Sequence, residues 1–435
     1  MKIAIVGLIG SENLGEKFIA KSLTWLIRDK LSKTGFAENV NFVAVDLEGK
    51  KNITIPAHGF INNRLKNYEY YSRVGIIGEI VYLCLKRIVH KIKNRRLKEI
   101  LHKIRHSIWM HSLNLKRRSL RYYNEKLSDV DFIVVDGAGL LEYSKNEYHE
   151  YLNTLCEYAE NKHIPVVFNA IGRSGEFDKT DFRCKILMQS FKRKCVKYVS
   201  ARDSVEDVQK CVTNRFSVKL RADAAFWFDK AYGLEKNNKS NVIGIGLIRG
   251  NSMQAYGIDF KEDDWINLYV GIAKELESRK ERYQFFTNGY PADYYVGKKV
   301  IEKLGKSDDY LVVRPIDDKV LARTISSYSG LITCRMHSSI AAFTLGIPSV
   351  VLSWNPKINK YMDIIGYPER SINLNDFDPK TIVERFIQAR EEGLSPDSIE
   401  KMKHMASASV DGYLSLLCAG SQRSIYGKVH KKGLR

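Results

Sequence analysis

"LITCRMHSSIAAFTLGIPSVVLSWNPK", residues 331–357, packs a strand, a helix and a second strand into one short segment. Leu331, Ile332 and Thr333 read as a buried strand, Ile340–Leu345 as a buried helix, and "PSVVLSW" (348–354) as the next strand. Gly346 suits the position just past a helix end and Pro348 a firm stop, which places the helix at about 338–345. Arg335 and His337 break the apolar pattern at the joint, just ahead of that helix. Two cationic-capable side chains are costly there if dry and unpaired. A lone histidine is ordinarily a satisfied structural residue. An arginine two residues away and a helix N-terminus beside it ask instead for a phosphate or carboxylate.

The same grammar extends in both directions. "KIAIVGL" (2–8), "VNFVAVD" (40–46), "VDFIVVDGAGLL" (130–141), "IPVVFNAIG" (164–172) and "VKYVSARDS" (196–204) are short, nearly all-apolar runs separated by helical stretches. After the polar linker "LEKNNKSN" (234–241), a second series follows: "VIGIGLI" (242–248), "YQFFTNG" (283–289), "YLVVRP" (310–315), "GLITCR" (330–335) and "PSVVLSW". Apolar strands alternating with helices form parallel sheets covered on both faces. The expected fold class is therefore α/β, with two doubly wound Rossmann-like domains facing a cleft at the carboxyl ends of their strands. The boundaries expected are 1–235 for the first domain, 236–420 for the second, and a disordered basic tail at 421–435.

Composition narrows the class. The chain has 435 residues, 44% of them hydrophobic, ample for two cores. Its seven cysteines include no CxxC pair, which fits neither a disulfide framework nor a zinc site and suits a reducing compartment. The N-terminus runs directly into a strand-like segment without an apolar leader pattern, so a cytoplasmic location is expected. The longest apolar run, 74–85, contains Glu79 and is too short to cross a bilayer.

The net charge of +20 is concentrated. Between Lys86 and Arg121 stand thirteen Lys and Arg against one acid, Glu99, more than half of the total in one segment. Residues 47–128 interrupt the first domain as a basic helical insertion. Leu85, Ile88, Val89 and Ile92, then Leu97, Ile100, Leu101, Ile104 and Ile108, keep an amphipathic rhythm. Such a segment suits peripheral contact with an anionic membrane, at the inner face of the cell membrane. Nucleic acid is a poor match, because aromatics that could stack on bases are few before Trp109.

Two glycine-bearing turns, "GLIGSENLGE" (7–16) and "DGAGLLEY" (136–143), end strands of the first series. Neither is a dinucleotide fingerprint. Each is consistent with backbone approach to an anion or with tight packing alone. In "SARDSVEDV" (200–208), Asp203 with Glu206 reads as a capping box, leaving Arg202 to project towards the cleft.

Together these motifs resemble the polysaccharide pyruvyl transferase family. "GSENLGE" is similar to the family's opening GNxGD-type turn, "DGAGLL" to its strand-end glycine motif, "SARDS" to its RD motif and "RADAAF" (221–226) to its D-P-A-F. "TCRMHSSIAAFTLGIPSVVLSWNPK" is similar to its R-L-H-A…G-I-P segment with the following lysine. The resemblance covers roughly 1–46 and 130–375 and omits the insertion. It implies a GT-B-like fold and a cytoplasmic transferase of exopolysaccharide and cell-envelope biosynthesis. That enzyme moves a pyruvyl group from phosphoenolpyruvate to a sugar or lipid-linked oligosaccharide as a cyclic ketal.

By the same resemblance Arg335 and His337 are catalytic, and Arg202, Asn13, Gly15, Gly139 and Lys357 bind substrate. Phosphoenolpyruvate is a donor substrate; no cofactor and no metal is expected. A histidine also answers the need for a general acid–base near neutral pH. The runner-up is a GT-B glycosyltransferase using a nucleotide sugar, since helix N-termini bind diphosphates equally well.

Overall fold

The computed structural model describes residues 1–35, 40–49, 84–85, 88–89, 92, 94–107, 115–142, 148–174, 177–236, 240–250, 253 and 258–432. Much of the insertion, including 50–83 and 108–114, lies outside the described residues, as does most of the apolar run 74–85. The first part of the chain contributes β1 (Lys2–Gly7), β2 (Asn41–Asp46), β3 (Phe132–Val135), β4 (Leu141–Glu142), β5 (Val166–Ile171), β6 (Arg173–Ser174), β7 (Val196–Ala201) and β8 (Lys219–Leu220). Six of these form a parallel sheet in the order β2-β1-β3-β5-β7-β8, while β4 and β6 pair separately.

The second part contributes β9 (Val242–Gly246), β10 (Arg282–Phe286), β11 (Gly330–Thr333), β12 (Ser349–Ser353) and β13 (Ser371–Asn373). They form a parallel sheet in the order β10-β9-β11-β12-β13. Both sheets carry helices between successive strands, so the architecture is two doubly wound α/β domains. The central strands β3, β5, β11 and β12 are buried throughout, as expected for strands covered on both faces.

Four features differ from the sequence reading. "YLVVRP" is not a strand: it meets the sheet through one bridge, Phe285 to Leu311, and Val313 is 68% exposed. Pro315 has no N–H to extend a ladder, so the apolar run stops at the sheet edge. The capping box at Asp203 is also absent. Helix Val205–Val212 starts from the Ser204 carbonyl, and the Asp203 carboxylate accepts the Arg173 backbone N–H at 3.0 Å instead.

The third difference is the tail. One helix, Pro396–Lys432, runs through most of the segment read as disordered, because no proline follows Pro396 to end it. The fourth concerns where that helix packs. Val410, Tyr413 and Leu417 join Ile3, Ile5, Leu26 and Val134 in the core beneath the first sheet. The Ser409 and Ser200 hydroxyls lie 2.8 Å apart, and Tyr413 Oη donates to Asn169 Oδ1 at 3.2 Å. Residues 396–420, assigned from the sequence to the second domain, therefore buttress the first.

The carboxyl ends of the two sheets face each other in close contact. Phe226 stands edge-on to Phe343 with ring centroids 5.8 Å apart, and packs on Tyr361. These residues share one buried cluster with Ile340, Ile358 and Met362. Each fully buried aromatic contributes about 1.5–3 kcal/mol, so the two halves are held by more than polar contacts. The Leu14 N–H also donates to the Asn288 carbonyl at 2.9 Å, tying the first turn to the opposite sheet. Among the described residues, no helix is long and apolar enough to cross a membrane.

Candidate active site

β1 ends at Gly7 and hands over to the turn that opens helix Gly15–Ser32. Asn13 is held in that turn, its Nδ2 donating to Glu16 Oε1 at 3.1 Å and its backbone N–H to Ser11 Oγ. From the other sheet, β11 leads through Cys334 into helix Met336–Thr344, with Arg335 as its extended N-terminal cap. His337 is thus inside the first turn of this helix, rather than ahead of it as the sequence suggests. Only 6% of it is exposed.

The imidazole of His337 lies between two carboxylates of the first domain. Its Nδ1 stands 3.9 Å from Glu16 Oε1 and its Nε2 3.8 Å from Asp223 Oδ2, ion-pair distances rather than hydrogen bonds. Gly15 makes this approach feasible: a Cβ there would stand 2.8 Å from His337 Cβ. The turn therefore needs a glycine in order to seat the histidine.

Asp223 gathers the site. Its Oδ1 caps the short helix Ala224–Trp227 by accepting the Ala225 N–H at 2.9 Å. Its Oδ2 is paired with Arg202 Nη1 and faces His337. Burial acts to raise the Asp223 carboxyl, but Arg202 and His337 outweigh it and hold it below the usual carboxylate range. Burial likewise acts to lower the Arg202 guanidinium, and Asp223, Asp203 and Glu16 more than reverse this. Arg202 thus stays charged in a dry place.

Asp136, at the end of β3, behaves oppositely. Burial, reinforced by Glu16, pushes its carboxyl well above the ordinary range. Its Oδ1 accepts the Ala138 N–H at 3.4 Å, while its buried Oδ2 has no hydrogen-bond partner among the described residues. A Cβ at Gly7 would fall on that carboxylate, so Gly7 leaves room for Asp136. Gly139 sits just beyond, in the turn towards β4.

A cavity open to solvent lies beside the cluster. Arg202, Arg221, Asp223, Met336, Lys357 and Tyr361 are among its lining residues. Lys357 is placed by helix Pro356–Ile365, which Asn355 caps by accepting the Lys357 N–H at 3.0 Å.

Arg335 belongs to a different cluster. Its guanidinium is paired with the fully buried Asp293 and lies 5.1 Å from the centre of the Tyr290 ring. Asp293 also accepts the Arg249 backbone N–H at 2.8 Å. The structure therefore brings together His337, Arg202, Asn13 and Gly15, adds Lys357 on the cavity wall, and gives Arg335 a carboxylate of its own domain. Sequence reasoning passed over Glu16, Asp136, Asp223 and Asp293. The signal for Asp223 was available within "RADAAF", and that for Asp136 within "VDGAG".

The family model described as polysaccharide pyruvyl transferase matches residues 50–356. The range spans the basic insertion; Asn13 and Gly15 precede it, and Lys357 follows it. No curated protein matches the chain. A crystal structure of a UDP-N-acetylglucosamine 2-epimerase is similar in fold, with a TM-score of 0.50 at 12% identity, covering 100% of this chain and 96% of that one. The UDP-GlcNAc 2-epimerase from Neisseria meningitidis bound to UDP-GlcNAc has a TM-score of 0.47 at 12% identity, covering 98% and 100%. For the E. coli heptosyltransferase WaaC with ADP the values are 0.44 and 11%, covering 90% and 100%.

Proposed function

The chain belongs to the polysaccharide pyruvyl transferase family, and from that premise we propose that it transfers a pyruvyl group from phosphoenolpyruvate to two hydroxyls of a sugar. The acceptor is a cell-surface polysaccharide or its lipid-linked precursor, and the product a cyclic ketal. The observation that carries this reading is His337 seated between Glu16 and Asp223, with Arg202 on the same carboxylate and a cation-lined cavity alongside.

The donor joins a phosphate and a carboxylate on one small enol, so it needs positive groups on more than one side. Arg202, Arg221 and Lys357 supply them on the cavity wall. The reaction begins when a proton reaches the methylene carbon: the C=C electron pair forms the new C–H bond and leaves a cation-like centre at C2. One sugar hydroxyl attacks that centre and gives up its proton. The C2–O bond to phosphate then breaks, its electron pair leaving with phosphate, and the second hydroxyl closes the ketal. Of the two hydroxyl protons, one replaces the proton given to carbon and the other leaves on phosphate. His337 is the proton carrier, with Glu16 and Asp223 facing its two ring nitrogens.

The test is release of inorganic phosphate from phosphoenolpyruvate in the presence of a sugar acceptor, with a thermal-shift comparison against UDP- and ADP-sugars. Stabilisation by phosphoenolpyruvate and acceptor-dependent phosphate release are expected. Stabilisation by a nucleotide sugar alone would favour a glycosyltransferase.

A further inference from the structure

Helix Arg95–Ser107, in the basic insertion, has its polarity inverted relative to an ordinary helix on a protein surface. Leu97, Ile100 and Ile104 are 47%, 53% and 44% exposed, and their spacing puts them on one face. Among the described residues, those it buries are His102 and Arg105. The polar side is anchored to the first domain: His102 Nε2 lies 3.0 Å from Arg183 Nη1, and the imidazole ring packs near Phe182. Burial and the flanking arginines keep this histidine neutral, its pKa lowered to about 3, so it can accept from Arg183. The helix is therefore fixed with its apolar stripe turned outward.

Arg96 and Lys103 flank the stripe on its own helix. Arg96 is exposed, and so is Lys103, which sits 3.3 Å from Glu99. Arg117 and Arg121 are exposed on the next helix, Leu115–Leu127. An apolar stripe rimmed by Lys and Arg complements a surface that is anionic at its headgroups and hydrocarbon just beneath. We propose that the Leu97–Ile100–Ile104 face of this helix docks the protein onto an anionic phospholipid bilayer. A nucleic acid would use the cations but leave the stripe in water. This inference does not rest on the pyruvyl-transfer reading, and its test reads binding alone.

The full chain is sedimented at about 150 mM salt with vesicles of neutral phosphatidylcholine or of the same lipid containing anionic phosphatidylglycerol. Sedimentation with the anionic vesicles only is expected. Each Lys or Arg near such a surface strengthens binding about fivefold, so Arg96→Glu with Lys103→Glu is expected to weaken it at least tenfold. Leu97→Ser, Ile100→Ser and Ile104→Ser together are expected to weaken vesicle binding at least about tenfold. All five positions are exposed, and circular dichroism and thermal melting check that each variant is folded. Equal sedimentation with both vesicle types, or undiminished binding by the folded triple variant, would overturn the proposal. So would an oligonucleotide that displaces the protein from vesicles and binds the triple variant as tightly as the native chain.

Discussion

Asp223 Oδ2, at the carboxyl end of the first sheet, stands 3.8 Å from Nε2 of His337, on the first turn of a helix of the second. The same Asp223 carboxylate is paired with Arg202. One side chain thus couples a fixed cation of one domain to a titratable group of the other, and the site exists only when the halves are together.

His337→Gln keeps a polar side chain of similar length but cannot carry a proton. Turnover of phosphoenolpyruvate is expected to fall about 10²–10⁴-fold with a much smaller change in donor affinity. Steady-state phosphate release and donor titration separate the two. A loss confined to affinity would make His337 a ligand rather than a proton carrier.

Gly15→Ala tests the seating of the histidine. The new methyl would stand 2.8 Å from His337 Cβ, closer than real Cβ contacts allow. Activity is expected to drop at least tenfold while the first sheet stays folded, read by phosphate release and far-UV circular dichroism.

Arg335→Met leaves Asp293 as a buried, uncompensated carboxylate, at a cost of about 3–5 kcal/mol. Combining it with Asp293→Asn removes the charge and keeps an acceptor for the Arg249 N–H. The double variant is expected to recover most of the stability in urea unfolding. If stability returns and activity does not, Arg335 serves the donor as well as the fold.

Asp136 gives a pH dependence. Its folded-state carboxyl is raised well above the ordinary 3.8, so the folded protein holds a proton there that the unfolded chain gives up. The associated stability is complete below 3.8 and is lost as pH rises through the folded value. Asp136→Asn removes this titration. Relative to the native protein its melting temperature is expected to be higher at pH 8 than at pH 4.

His102 titrates with the opposite consequence. Its pKa is lowered from 6.5 to about 3, so between those values the unfolded chain binds a proton that the folded one refuses. Stability is complete above 6.5 and falls as pH drops towards 3. His102→Gln is expected to flatten the decline in melting temperature between pH 7 and pH 4.

Local sequence determined the elements. Buried strands such as "FIVV" and "SVVLS" are continuous apolar runs because both faces are covered, and the helix before Gly346 ends where a left-handed residue is needed. Arg335 and His337 stood out because charge in an apolar run is costly. Two residues apart in the chain, they nonetheless face different partners: Arg335 turns to Asp293 of its own domain, and His337 crosses to Glu16 and Asp223 of the other.

Only the tertiary structure decided that division. Asp223, Asp136 and Glu16 are ordinary acids in sequence. They become a site because parallel crossovers bring the ends of β1, β3 and β8 to one edge, where burial fixes each charge state by its neighbours. The return of helix Pro396–Lys432 to the first sheet was likewise invisible, since its apolar residues fit either core. Periodicity records that a face is buried; which neighbour buries it depends on the path of the whole chain.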